Sequence, residues 1–284
     1  MSTNQQPIAR GPNISTFDVN ERGLWFYTKD FTFANSHIDA MLRKQINTMY
    51  MSTGADGSAQ GLWSDPTKRA SYISFINYAK SKGMKVFSSV LEDPSFVEAT
   101  EATLRTWFGN FVKDTKPYYD TYIVDVEPHV INLVYPGEYL DFTTNKAYYY
   151  NKYISMSAIL RTIADEEGVR YVDTVPPWYH DEMISFGITG GLNNLSSHGI
   201  VLMAYSSTVS AILTNTASVR SQVAPNIRTL IAFNIITDIT DPFIPKTNIR
   251  STLTSLQVTN GLPTAIFRAD TEDFFNQPDG CFKI

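Results

Sequence analysis

Short apolar runs recur along this chain, each followed by a polar or turn-rich stretch. They fall at residues 24–27, 46–51, 85–91, 121–126, 170–175, 200–204, 228–233 and 264–267. All eight are rich in β-branched and aromatic residues, and they are mostly continuous rather than alternating. That is how strands buried on both faces read, because alternation appears only where one face meets water.

Helical patterns fill the intervals. Asp65-Pro66 supplies an N-cap followed by proline at the first helical position, and Lys82-Gly83 closes that helix. Asp93-Pro94 repeats the start signal ahead of Phe96, Leu104, Phe108, Phe111 and Val112. Tyr153, Met156, Leu160 and Ile163 recur at helical spacing over 146–167, with Gly168 at the end. Further helices are predicted over 209–223 and 249–258, while the segments after the fifth and eighth runs read as short or irregular.

Strands alternating with helices imply a parallel sheet with crossover connections. Eight such units in about 250 residues fit a closed ring better than an open doubly wound sheet. Lys29-Asp30-Phe31 follows the first run, where a dinucleotide fold needs a glycine-rich turn. No Gly/Ser linker or break in composition marks a second domain. The expectation is one α/β domain, a (β/α)8 TIM barrel over residues 21–284, preceded by an extended arm over 1–20 that carries Pro7, Gly11 and Pro12.

Composition agrees with a packed core. Apolar residues make up 43% of the 284, with 17 Phe, 16 Tyr and 4 Trp, and only 18% are charged. The net charge is −5, and Lys and Arg are scattered. No basic stripe exists to displace counterions from a phosphate backbone, so nucleic acid is not expected as a partner. No run of ~18 apolar residues appears, so no membrane partner is expected either. Cys281 is the one cysteine, which excludes an internal disulfide and any cysteine cluster for metal. The polar N-terminus lacks a signal-peptide pattern, and the expected location is cytoplasmic or non-classically released.

Barrel sites form where strands end and βα loops begin. The fourth run, Thr121 to Val126, follows Asp120 and leads directly into Glu127, Pro128 and His129. Asp125 and Glu127 lie two residues apart, so strand alternation points both the same way, and inward they would stack near the mouth. Adjacent carboxylates in an apolar strand should push one pKa upward, which is how a general acid stays protonated near neutrality.

Asp120…Asp125-Val-Glu127 resembles the Asp-Gly-x-Asp-x-Asp-x-Glu strand of family-18 glycoside hydrolases, the chitinases and endo-β-N-acetylglucosaminidases. Further similarities follow in order: Gly23-Leu-Trp-Phe-Tyr27, Lys85-Val-Phe-Ser-Ser89, Val172-Asp-Thr-Val-Pro-Pro177 and Leu202-Met-Ala-Tyr205. The resemblance implies retaining, substrate-assisted hydrolysis, in which the substrate's acetamido oxygen is the nucleophile. It makes Glu127 the acid and later the base, has Asp125 orient the acetamido group, and gives Tyr205 a hydrogen bond to it. It also implies a carbohydrate partner containing N-acetylglucosamine, no cofactor, and a substrate contact from Phe267, which aligns with a tryptophan floor. Tyr27 and Trp178, aromatics at strand ends on the rim, are expected to add substrate contacts. Ile123 stands where the family has its middle Asp, and Ser206 where it has the Asp after the tyrosine. Those departures open a second reading: a catalytically inactive, chitinase-like carbohydrate-binding, storage or toxin-associated protein.

Other residues carry weaker expectations. Trp25, Trp63 and Tyr179 are further rim aromatics suited to sugar stacking. Asp93 reads as an N-cap, Glu92 as a possible site residue, and Asp173 as an inward partner of Asp125. Asp238, Asp270 and Glu272 would matter to a two-carboxylate glycosidase. His129 with Asp125 and Glu127 is a possible metal set, but neither a His-x-x-x-His spacing nor a cysteine cluster supports it, nor does His180, and no metal is expected. The chain contains no Gly-x-Ser-x-Gly elbow for a nucleophilic serine.

Overall fold

The computed structural model describes residues 17–18, 20–27, 34–52, 65–119, 121–223, 228–235, 244–267, 278–282 and 284, without the side chains of Phe26, Tyr27, Arg228 and Lys246. Eight parallel strands pair in chain order and close on themselves. They are β1 Arg22–Tyr27, β2 Thr48–Ser52, β3 Lys85–Val90, β4 Thr121–Val124, β5 Tyr171–Val175, β6 Gly199–Met203, β7 Arg228–Asn234 and β8 Thr264–Phe267. Every predicted run coincides with a strand. Closure comes from β8 pairing back onto β1, with Gly23 opposite Ala265.

The predicted helix signals act as read. Asp65 caps Pro66–Ser81 by accepting from Thr67 N at 2.9 Å and Lys68 N at 3.3 Å. Asp93 caps the 3-10 turn Pro94–Glu98 by accepting from Ser95 N at 2.8 Å. The long helix Lys146–Glu167 stops at Gly168, whose φ of 69° is left-handed and is open to glycine at no steric cost. After β5 the helix Tyr179–Ser185 is short, as expected. Among the described residues, no helix is long and apolar enough to cross a membrane.

The continuous apolar runs reflect two cores. One set of side chains fills the layer between strands and helices, with Leu24, Val86, Tyr122, Tyr171 and Leu202 among it. The other fills the ring itself: Trp25, Tyr50, Phe87, Ile123, Val172, Val201, Leu230 and Ala265, roughly one per strand. Alternate residues of each strand serve the two cores, so neither face meets water and the runs do not alternate. Gly23 is required by this filling, because a Cβ there would lie 1.9 Å from Tyr50 Cε2. Phe17 belongs to the inner core too, fully buried with its ring 6.4 Å from Phe87. Beside it the buried Glu21 carboxylate accepts from the Tyr50 hydroxyl and pairs with Lys85 at 3.3 Å, closing the ring's N-terminal end. The remainder of the predicted arm, residues 1–16 and 19, lies outside the described residues.

Candidate active site

The β4 ladder ends at Val124, two residues sooner than the apolar run. Beyond it Asp125 and Glu127 keep the strand's phase. Ile123 points into the ring and Val126 joins the outer core. Asp125 is 8% exposed above Ile123, and the Glu127 side chain, at 30% exposed, opens into a cleft at the mouth. A 3-10 turn, Pro128–Val130, then carries the chain away, with Val130 N donating to Glu127 O at 3.0 Å.

The cleft encloses about 660 Å³ across the ends of β4, β5 and β6. Its walls include Glu127 and His129 from β4, Pro176, Trp178 and Asp181 from beyond β5, and Met203, Tyr205, Asn215 and Ser218 from β6 and the helices that follow. Glu127, Tyr205 and Trp178 therefore face one space. Trp178 is 41% exposed and presents a free aromatic surface.

Asp125 lies beneath that space. Burial raises its pKa well above the ordinary carboxylate value, and the charges of Glu127 and Glu92 push it further the same way. The sequence anticipated a raised carboxyl from like-charge repulsion; burial is the larger cause, and the carboxyl concerned is Asp125. Its Oδ1 has no hydrogen-bond partner among the described residues.

Glu92 reaches the mouth by a backbone irregularity. Val90 pairs with Val124, so register places residue 91 opposite Asp125. Leu91 instead takes a φ of 54°, a left-handed value that costs a branched side chain roughly 1 kcal/mol or more. The twist sends Leu91 into the outer core and swings Glu92 inward, where its Oε2 accepts from Ser52 Oγ at 3.0 Å. No sequence signal announces a left-handed leucine, so strand counting alone could not assign Glu92 a side.

The Tyr205 ring lies against Phe267, centroids 5.0 Å apart, and Phe267 in turn meets Trp25 at 5.9 Å. Phe267 is not among the residues lining this cleft; it supports Tyr205 from below. Ser206 is buried and accepts from Asn215 Nδ2 at 3.2 Å. Tyr27 pairs through its backbone with Ser52, and its side chain lies outside the described residues, as do Asp120, Trp63, Asp238, Asp270 and Glu272.

Several expectations need correction. Asp173 does not face Asp125. Its neighbour Val172 takes the inward place, so Asp173 turns to the helix Lys146–Glu167. There it accepts from Tyr171 Oη at 2.7 Å, Ser157 Oγ at 3.0 Å and Tyr153 Oη at 3.3 Å. Trp25 is inner core and Tyr179 is fully buried, so neither is a rim platform. His180 is structural: its Nδ1 accepts from Leu192 N at 3.2 Å, and its Nε2 lies 3.2 Å from Gln222 Oε1. Among the described residues, no group of three His, Cys, Asp or Glu is placed to hold a metal ion.

The fold and this mouth define a (β/α)8 barrel with carboxylates gathered at its C-terminal face, the end at which barrel enzymes place their chemistry. No family model and no curated protein matches the sequence. Solved structures do match in fold. A GH18 chitinase from Pseudoalteromonas aurantia aligns at a TM-score of 0.59 and 14% identity, covering 87% of this chain and 92% of that one. The GH20 catalytic modules of a pneumococcal exo-β-D-N-acetylglucosaminidase align at 0.56 and 12%, covering 92% and 83%. An endo-β-1,4-glucanase from Xanthomonas axonopodis aligns at 0.55 and 11%, covering 89% of each chain. At such identities the likeness is one of fold.

Proposed function

We propose that this protein is a glycoside hydrolase that cleaves β-linked, N-acetylglucosamine-containing glycans with retention, the substrate's acetamido group acting as nucleophile. The observation that carries the reading is that Glu127 and Tyr205 line one open cleft with Asp125 directly beneath. Among the described residues lining the cleft the carboxylates are Glu127 and Asp181, and Asp181 already accepts from Ser218 Oγ at 2.6 Å. A mechanism that needs no protein nucleophile calls on Glu127 alone.

In this reading Glu127 protonates the glycosidic oxygen as the acetamido oxygen attacks the anomeric carbon. The bond to the departing sugar breaks and a cyclic oxazolinium forms. Water then attacks the anomeric carbon, Glu127 takes its proton, and the ring opens to the β-product. Tyr205 donates its hydroxyl to the acetamido oxygen and orients it. Asp125 orients the acetamido nitrogen and faces the positive charge as it develops. A carboxylate disfavoured by burial gains most when a cation appears beside it, so the interaction strengthens toward the transition state. Trp178 offers the sugar an apolar face to stack on.

Two of the fold-alike structures are a GH18 chitinase and GH20 exo-β-D-N-acetylglucosaminidase modules, classes in which substrate assistance operates. Ile123 and Ser206 support the second reading, a carbohydrate-binding protein without turnover, since each removes a carboxylate from the motif. Chitooligosaccharides incubated with the protein and followed by mass spectrometry separate the two. Wild type is expected to release shorter oligomers, and Glu127→Gln to lose turnover by at least ~10³-fold while retaining binding. Binding without cleavage by the wild type sustains the second reading; full activity in Glu127→Gln removes Glu127 from the mechanism.

A further inference from the structure

His129 stands beside Glu127 without having a part in the mechanism above. Its Nδ1 lies 2.8 Å from the Tyr179 hydroxyl, and its Nε2 lies 3.9 Å from Glu127 Oε1. Aromatic edges confine the ring: Trp178 at 5.3 Å, Tyr179 at 5.7 Å and Phe142 at 6.3 Å. A neutral imidazole carries one N–H, and the hydrogen bond at one nitrogen decides which. With the proton on Nε2, the phenol donates to the Nδ1 lone pair and the ring N–H faces the carboxylate. With the proton on Nδ1, the phenolic hydrogen loses its acceptor and a bare lone pair faces a carboxylate oxygen. Both consequences are unfavourable in a buried setting.

Resting on the glycosidase reading for its consequence, we propose that His129 is a positioning residue for Glu127: Tyr179 fixes the ring so that Nε2–H addresses Oε1, leaving Oε2 to carry the catalytic proton. At 3.9 Å the contact is not yet a hydrogen bond. The terminal torsion of a glutamate is soft, so a small turn of the carboxyl closes the gap in the free protein. The ring stays neutral as the role requires. Burial lowers the His129 pKa to about 4, and the opposing pull of Glu182 is smaller. Glu182 is itself held by Lys146 at 2.7 Å and Tyr150 at 2.5 Å. The other groups facing the pair are Tyr179 on the histidine side and Asp125 beneath Glu127, with Glu92 beyond.

A donor at Oε1 favours the ionised carboxyl, so removing it should raise the Glu127 pKa. The test reads that pKa directly, by carbon NMR of the carboxyl in the protein without substrate. His129→Phe is expected to raise the midpoint by about one pH unit, while His129→Gln, which keeps an N–H donor at a similar reach, returns it toward wild type. Nitrogen NMR should show the proton on Nε2 in the wild type and a mixed tautomer in Tyr179→Phe. An unmoved Glu127 midpoint in His129→Phe, or the proton on Nδ1 in the wild type, overturns the proposal. Should His129→Phe fail to fold, the tautomer in the wild type and in Tyr179→Phe decides alone. If the wild type hydrolyses a glycan, the alkaline limb of its kcat/KM profile must move up with the same midpoint. If no glycan is cleaved, the hydrolase reading fails while the NMR result still judges the positioning.

Discussion

Asp125 is the ionisable group at the mouth most completely taken out of water, and its surroundings oppose its charge. A carboxyl whose pKa rises on folding stabilises the fold while protonated, and that contribution is lost as pH climbs through the folded value. Asp125 should therefore weaken the protein on the alkaline side of the ordinary carboxylate range. Asp125→Asn, similar in shape and never charged, is expected to match wild type in urea unfolding at pH 4. It should grow relatively more stable as pH rises, by roughly 1.4 kcal/mol for each pH unit over which the native carboxyl still holds the proton that the unfolded chain has released. The same substitution should cut turnover, the trade expected where a strained group serves function. A constant stability difference across that range would show that Asp125 is not the group under strain.

The elements were legible in the chain because each βα unit carries its own punctuation. Asp65-Pro66, Asp93-Pro94 and Gly168 stop or start helices through interactions local in sequence, and the structure places them where the pattern did. What the sequence hid is non-local. The side taken by Asp173 follows from one residue of register in β5, and a continuous apolar run does not declare its register. The Tyr179–His129 pair joins residues 50 positions apart across two loops, beyond the reach of spacing rules. Glu92 depends on a left-handed leucine. Asp173 offers a test at this scale. Burial raises its pKa to about 6, against the lowering effect of its hydroxyl partners. Its protonated form thus stabilises the packing of the long helix on β5 at low pH, and that contribution is lost as pH rises through about 6. Asp173→Asn should flatten the stability change between pH 4 and 7 measured by urea unfolding; an unaltered pH dependence would assign it to other groups.

Across the whole molecule, closure of the ring sets its last strand behind the site. The cleft residues come from β4, β5 and β6, neighbours in the sheet, and β8, held by its pairing with β1, sets Phe267 against the Tyr205 ring. That last pairing passes through Gly23, against which the Tyr50 ring is packed. Gly23→Ala should force Tyr50 from its place and disturb its bond to Glu21, destabilising the protein by ~1–3 kcal/mol in urea unfolding, as overpacking does in close-packed cores. A neutral result would mean that the inner core is loose enough to absorb a methyl group.

The central claim, that the Glu127 carboxyl serves a sugar which supplies its own nucleophile, is tested most directly by the anomeric configuration of the first product. Proton NMR of a chitooligosaccharide digest, recorded before mutarotation, should show the β-anomer formed first at the new reducing end. Appearance of the α-anomer first would mean that water attacks directly from the opposite face, and would contradict the account.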